Sequence, residues 1–323
     1  MKQMIRTAAA VCLTLLFLTA AAGAKQAQEK KSTPVDFQKI TAHYLQWTTR
    51  PSFPESVPFA YYPVYAMRAL GKKLPGKTRT TIVKFLKSCQ KPDGGFVNEP
   101  KNAPASNLIY TYYALQALDL LGQQGAIDRG KALGYVLSLQ DPKGGFKLST
   151  DAKEKASLAG TFYGVRSLAL LRKLDAVDKQ KTAAFIASCK EKGKGYSLNP
   201  GKFSSPQATF MAVHTLDLLG LMTGEISRDV KNYLHDTRYA GHVTDKYYSL
   251  PSMQDMSYVL RTLRELKAME VADLSKAADF VNSLYIDENG GFGPEPGYGT
   301  TPPSTYYAIV CLVQLGKFPD PLK

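Results

Sequence analysis

Apolar residues recur three and four positions apart along most of this chain, as in Leu115, Leu118 and Leu121. No run alternates apolar and polar residues long enough to make a strand. That periodicity predicts helices. From Phe37 onward the blocks pair into six helix–loop–helix units. The pairs are Ile40–Trp47 with Tyr62–Leu70, Thr80–Gln90 with Tyr110–Leu121, and Gly130–Gln140 with Thr161–Leu174. Lys181–Lys190 with Thr209–Leu219, Arg228–His235 with Gln254–Lys267, and Ser275–Leu284 with Thr305–Leu315 complete the series. The first helix of a pair carries an aromatic–apolar step, as at Phe85-Leu86, Tyr135-Val136, Phe185-Ile186, Tyr233-Leu234 and Phe280-Val281. Gly71, Gly122, Gly220 and Gly316 follow second helices, where a C′ glycine stops a helix.

One turn punctuates the pairs. Gln90-Lys91-Pro92-Asp93-Gly94-Gly95-Phe96 returns as Gln140-Asp141-Pro142-Lys143-Gly144-Gly145-Phe146. It returns again in worn form at Lys190 to Tyr196, and as Asp287-Glu288-Asn289-Gly290-Gly291-Phe292. Gly241-His242 marks a degenerate copy. Proline presets φ, glycine accepts positive φ, and the aromatic that follows plugs between units. A fixed internal period means a repeat architecture. An open array needs polar capping repeats, yet the last unit is as apolar as the middle ones, with Tyr306, Ile309, Val310, Leu312 and Leu315. The expected fold is therefore all-α, an (α/α)6 toroid: a closed ring of six helical hairpins.

The ends differ in composition. Residues 1–24 carry Lys2 and Arg6, then an uncharged run to Ala24 with Ala22-Gly23-Ala24 at its close, the pattern of a cleaved signal peptide. Residues 25–36 have no apolar period and read as a disordered lead. The toroid is expected over 37–318, with a tail at 319–323. The mature protein would be exported, periplasmic or secreted, with no transmembrane span. Losing Lys2 and Arg6 lowers the formal charge from +14 to +12, which suits contact with an anionic surface. No basic–aromatic motif indicates nucleic acid. Cys12 leaves with the signal. Cys89, Cys189 and Cys311 are an odd set without metal-ligand spacing, and read as small core residues.

The Gln-x-x-Asp-Gly-Gly-Phe turns, each followed by a loop and a Thr-aromatic-x-x-x-x-x-Leu helix, resemble the repeats of protein prenyltransferase β subunits. More broadly the chain is similar to the terpenoid-cyclase and prenyltransferase toroid superfamily. Ser167-Leu168-Ala169-Leu170-Leu171 looks like the β subunit of the geranylgeranyl transferase that modifies Rab proteins. So does the stretch from Gly290-Gly291-Phe292 through Pro296-Gly297 to Thr305 and Leu315-Gly316.

That resemblance implies a zinc site of Asp, Cys and His and a diphosphate pocket of His, Arg and Lys. Asp255 and Tyr258 persist, but Ser257 stands for the Cys and Ser304 for the His. Ser205, Ala159, Ser249 and Ser252 replace the diphosphate cations, and Lys246 lies nearby in the chain. A neutral hydroxyl is a weak zinc ligand, so no cofactor is expected.

Asp255 and Tyr258 are the candidate catalytic pair, against roles in helix capping and core packing. Ser205, Ser249, Ser252, Ser257 and Ser304, with Tyr306, are the candidate ligand-binding set, against a solvated surface. Phe162, Tyr163, Phe210, Tyr258 and Tyr306 are candidates for an aromatic cavity lining, or for packing. His214 reads as a core histidine. His235, Asp236, His242 and Asp245 cluster without a metal motif. The expected function is a non-zinc binding module for a hydrophobic, glycan or peptide ligand. The competing expectation is a divergent prenyl or terpenoid transferase, or another enzyme centred on Asp255 and Tyr258.

Overall fold

A computed structural model describes residues 34–101, 105–192, 194–236 and 252–322. The helices are α1 (Phe37–Thr48), α2 (Val57–Ala69), α3 (Gly76–Cys89), α4 (Leu108–Leu120), α5 (Arg129–Ser138) and α6 (Leu158–Leu170). There follow α7 (Lys179–Ser188), α8 (Pro206–Leu218), α9 (Gly224–Asp236), α10 (Met253–Glu265), α11 (Leu274–Ser283) and α12 (Pro302–Gln314). The even-numbered helices form an inner ring. Each packs against the next, and α12 returns to α2. The odd-numbered helices stand outside them. The ring is closed, as the apolar last unit predicts. A small antiparallel pair, β1 (Tyr285–Ile286) with β2 (Gly291–Phe292), flanks the final turn.

Burial separates the two layers. Outer α3 hides one stripe, Thr78, Ile82, Leu86 and Cys89, whereas inner α6 is buried continuously from Gly160 to Leu168. Inner helices contact outer helices on one side and the bore on the other, so their middle turns are buried on both sides. Outer α1, α5, α7 and α11 are N-capped by Asp36, Asp128, Asp178 and Asp273. The inner helices are capped by Ser56, Asn107, Ser157, Ser205, Ser252 and Thr301.

The repeated turn is a joint between units. Lys91 N–H donates to the Gly95 carbonyl at 2.9 Å, and Phe96 N–H donates to Thr111 Oγ1 at 3.1 Å. Phe146 uses Thr161, Tyr196 uses Thr209, and Phe292 uses Thr305 in the same way. The threonine of the Thr-aromatic motif thus satisfies a buried amide that would otherwise be an orphan. Gln90 clamps the next unit, donating to the Asp128 carbonyl at 2.8 Å and accepting from its N–H at 2.9 Å. Gly290, at φ +68°, meets the Lys39 backbone of α1, so a Cβ would overlap that carbonyl. That contact, with His43 Nδ1 3.0 Å from the Asn289 carbonyl, seals the last unit to the first. Cys89, Cys189 and Cys311 are buried free thiols, as small core residues should be. No described helix is long and apolar enough to cross a membrane. The degenerate turn at Gly241-His242 lies outside the described residues.

Candidate functional site

At the end of the ring where the inner helices begin, the predicted hydroxyls are engaged with the helix starts. Ser205 Oγ accepts from Ala208 N–H at 3.2 Å. Ser252 Oγ accepts from Asp255 N–H and donates to Asp255 Oδ2, both at 3.1 Å. Ser304 Oγ lies 2.7 Å from Thr301 Oγ1, and buried Ser257 donates to the Gln254 carbonyl at 2.7 Å. The structure therefore brings Ser205, Ser252, Asp255, Ser257 and Ser304 to one end, on the adjacent helices α8, α10 and α12. Ser249, Lys246, His242 and Asp245 lie outside the described residues. Asp255 sits in the first turn of α10, where a carboxylate favours the helix dipole. The zinc implied by the resemblance does not suit this set, since Ser257 and Ser304 offer neutral hydroxyls already hydrogen-bonded to protein.

Further in, the bore is packed with aromatic rings. Tyr258 stacks on Phe210 at 5.6 Å, and its hydroxyl accepts from Gln254 Nε2 at 3.2 Å and Gln207 Nε2 at 3.4 Å. Tyr306 stacks on Tyr62 at 4.7 Å and meets Tyr65 edge-on at 5.1 Å. Phe162 and Tyr163 join them across α6. The five aromatics expected to line a cavity do converge, but the space left among them is about 20 Å³.

The roomy cavity is at the opposite end. A bowl of about 580 Å³ is walled by the last turns of all six inner helices and rimmed by Asp320, Pro321 and Leu322. Five arginines line it, Arg68, Arg166, Arg172, Arg261 and Arg264, against the carboxylates Asp119, Glu265 and Asp320. Arg166 and Arg261 also border the bore, so they form the floor. The Arg261 guanidinium lies 4.0 Å from the Phe210 ring centroid. Arg166, only 9% exposed, lies 4.9 Å from that of Tyr112 and donates to Gln116 Oε1 at 3.2 Å. Such stacking suits the planar guanidinium.

Each of the three carboxylates at the bowl has a partner. Glu265 Oε1 bonds His214 Nδ1, and Asp119 accepts from Gln124 at 2.8 Å. Asp320 accepts from the Leu322 N–H at 3.0 Å. Burial, and then the Arg166 charge, hold the His214 imidazole below its ordinary pKa, although Glu265 pulls the other way. His214 has a partner, as expected, but it lies on the wall of the bowl and not inside the core. Sequence reasoning passed over the arginines because they are scattered over several repeats and form no motif. For Arg166, a lone charge one turn from the end of an otherwise apolar helix was the available signal.

A family described as "Prenyltransferase alpha-alpha toroid domain" matches residues 35–244 and 237–323. Among solved structures, the chain is similar to Candida albicans protein geranylgeranyltransferase-I complexed with GGPP. The TM-score is 0.74 at 17% identity, over 87% of this chain and 92% of that one. It is also similar to a type II terpene cyclase from Scytonema in complex with geranylgeranyl dihydroxybenzoate, with TM-score 0.58 and 13% identity over 86% and 95% of the two chains. The apo cyclase gives TM-score 0.57 and 14% identity over 87% and 96%.

Proposed function

Because the chain belongs to the prenyltransferase alpha-alpha toroid family, we propose that it keeps the family's ring while working as a binding module without zinc. Its ligand site is the bowl, and the mature protein is exported. The carrying observation is how the interior space is divided. The bore retains about 20 Å³, room for about one water, while the bowl has about 580 Å³, within the usual range for small-molecule sites. The similar transferase is complexed with GGPP. A molecule of that kind does not fit among Phe162, Phe210, Tyr258 and Tyr306 as they pack here. Export rests on residues 1–24, and the absence of zinc on the serines at positions 257 and 304.

Metal analysis and native mass spectrometry of the purified chain test this reading. Expected are no stoichiometric zinc and a co-purifying small molecule that is lost when the bowl is filled by Leu218→Trp. Stoichiometric zinc that disappears in Asp255→Ala would overturn it and restore a metal-dependent transferase. The alternative centred on Asp255 and Tyr258 draws support from their shared helix and the two amides on the Tyr258 hydroxyl. Transfer of an isoprenoid to a thiol, abolished by Asp255→Asn, would establish it.

A further inference from the structure

Several cations at this end of the ring have a structural task. Arg79 donates to the Leu121 carbonyl at 2.7 Å, Arg129 to Leu170 at 3.0 Å and Lys179 to Leu219 at 2.8 Å. Arg264 bonds the Gln314 carbonyl. These cover free carbonyls at the ends of four inner helices, α4, α6, α8 and α12. Arg261 does not share that task. It sits a full turn inside the end of α10, and no acceptor among the described residues takes its guanidinium protons. Glu265, four residues on, gives Oε1 to His214, and its charge also acts on Arg261 although no hydrogen bond joins the two side chains. Arg166 beside it has one acceptor, a neutral amide. Two sheltered guanidiniums, mostly unmatched, face one cavity. Glu265 is shared between an imidazole and Arg261, so the two guanidiniums keep a net positive charge, and an oxyanion is the group that compensates it by paired N–H···O bonds.

A second observation comes from the backbone. Inner helices α2, α4, α8 and α12 end on Gly71, Gly122, Gly220 and Gly316 at φ between 62° and 77°. Helix α6 places Arg172 in the same left-handed conformation, at φ 59°. A side chain there strains the backbone, and Arg172 lines the bowl. Lys267 does the same after α10, at φ 52°, adding a cation at the same end. Glycine is the easier residue at both positions, and both carry positive charge.

We infer that the bowl binds a small molecule through its phosphate or carboxylate group, held on the floor by Arg261 and Arg166 with Arg172 at the rim. The inference rests on the bowl being the ligand site and adds the chemical class of the ligand. The guanidinium fork pairs with either oxyanion in two parallel hydrogen bonds, and stacking on Phe210 and Tyr112 fixes its plane.

Isothermal titration calorimetry of the purified chain with pyrophosphate and, separately, with citrate is the test. One equivalent of at least one of them should bind, and the tighter of the two identifies phosphate or carboxylate. Arg261→Met keeps the packing on Phe210 without the charge. It should weaken binding at least about tenfold, the loss expected for one charge-assisted contact. If Arg261→Met fails to fold, Arg172→Gly decides, because it relieves strain and should still weaken binding by up to about fivefold. Binding that both variants leave unchanged would assign the heat to surface lysines and overturn the inference. So would no binding at millimolar concentration. In that case a neutral molecule retained by the chain and lost in Leu218→Trp would leave the bowl as the ligand site. Loss of nothing would remove both readings.

Discussion

Arg172 and Lys267 separate backbone strain from binding. Both occupy the left-handed region, but only Arg172 lines the bowl. Arg172→Gly and Lys267→Gly should each raise stability by about 1 kcal/mol in thermal melts. Only the first should cost oxyanion affinity. His214 gives a second residue-scale test. Its pKa is held below the ordinary value, first by burial and then by Arg166. On acidification the unfolded chain therefore takes up the proton first. The stability this residue contributes is present above pH about 6.5 and is lost as pH falls towards the folded-state pKa. His214→Gln should flatten the pH dependence of the melting temperature below neutrality. A slope unchanged from wild type would show that other groups set it.

At the scale of elements, the joint formed by turn, threonine and following helix recurs with the same bonds. Thr161→Val leaves the buried Phe146 N–H without an acceptor. It should destabilise the chain by about 1–3 kcal/mol, measured by denaturant unfolding. The same change at Thr111, Thr209 or Thr305 should cost a similar amount, because each serves an equivalent amide. The outer-layer aspartates and the inner-layer serines, threonine and asparagine are interchangeable as caps by chemistry.

For the whole molecule, closure is the feature that every unit depends on. Gly290 and Gly297 both have positive φ, but only Gly290 lies against another unit, at Lys39. Gly297→Ala should cost about 1 kcal/mol of strain, whereas Gly290→Ala must also push the seam apart and should cost about 2–4 kcal/mol. Equal losses in unfolding experiments would argue that the seam contributes little. Closure also gives the ring two unlike mouths. Helix N-termini and capped hydroxyls meet at one, and helix C-termini and arginines at the other, with stacked aromatics between them.

The helical period, the glycine stops and the repeated turn are local signals, and each unit obeys the same local rules. For that reason the all-α ring could be read from Leu115, Gly94 and Phe96 and their counterparts before any coordinates. The hydroxyls Ser205, Ser249, Ser252, Ser257 and Ser304 could be grouped only through the family resemblance, which aligns them with the zinc and diphosphate positions; of these, Ser205, Ser252, Ser257 and Ser304 stand at one end of the ring. Which end of the ring is hollow was not legible. Whether Tyr258, Phe210 and Tyr306 frame a cavity or fill it depends on ring orientations set by neighbours on other helices. The bowl is assembled from single residues of six helices separated by long stretches of chain. Arg166 and Arg261 carry no motif between them, and only the closing of the ring puts both guanidiniums on one floor. Sequence alone determined the repeat and its closure; tertiary structure decided where empty space and unmatched charge coincide, because both depend on side chains meeting across the ring.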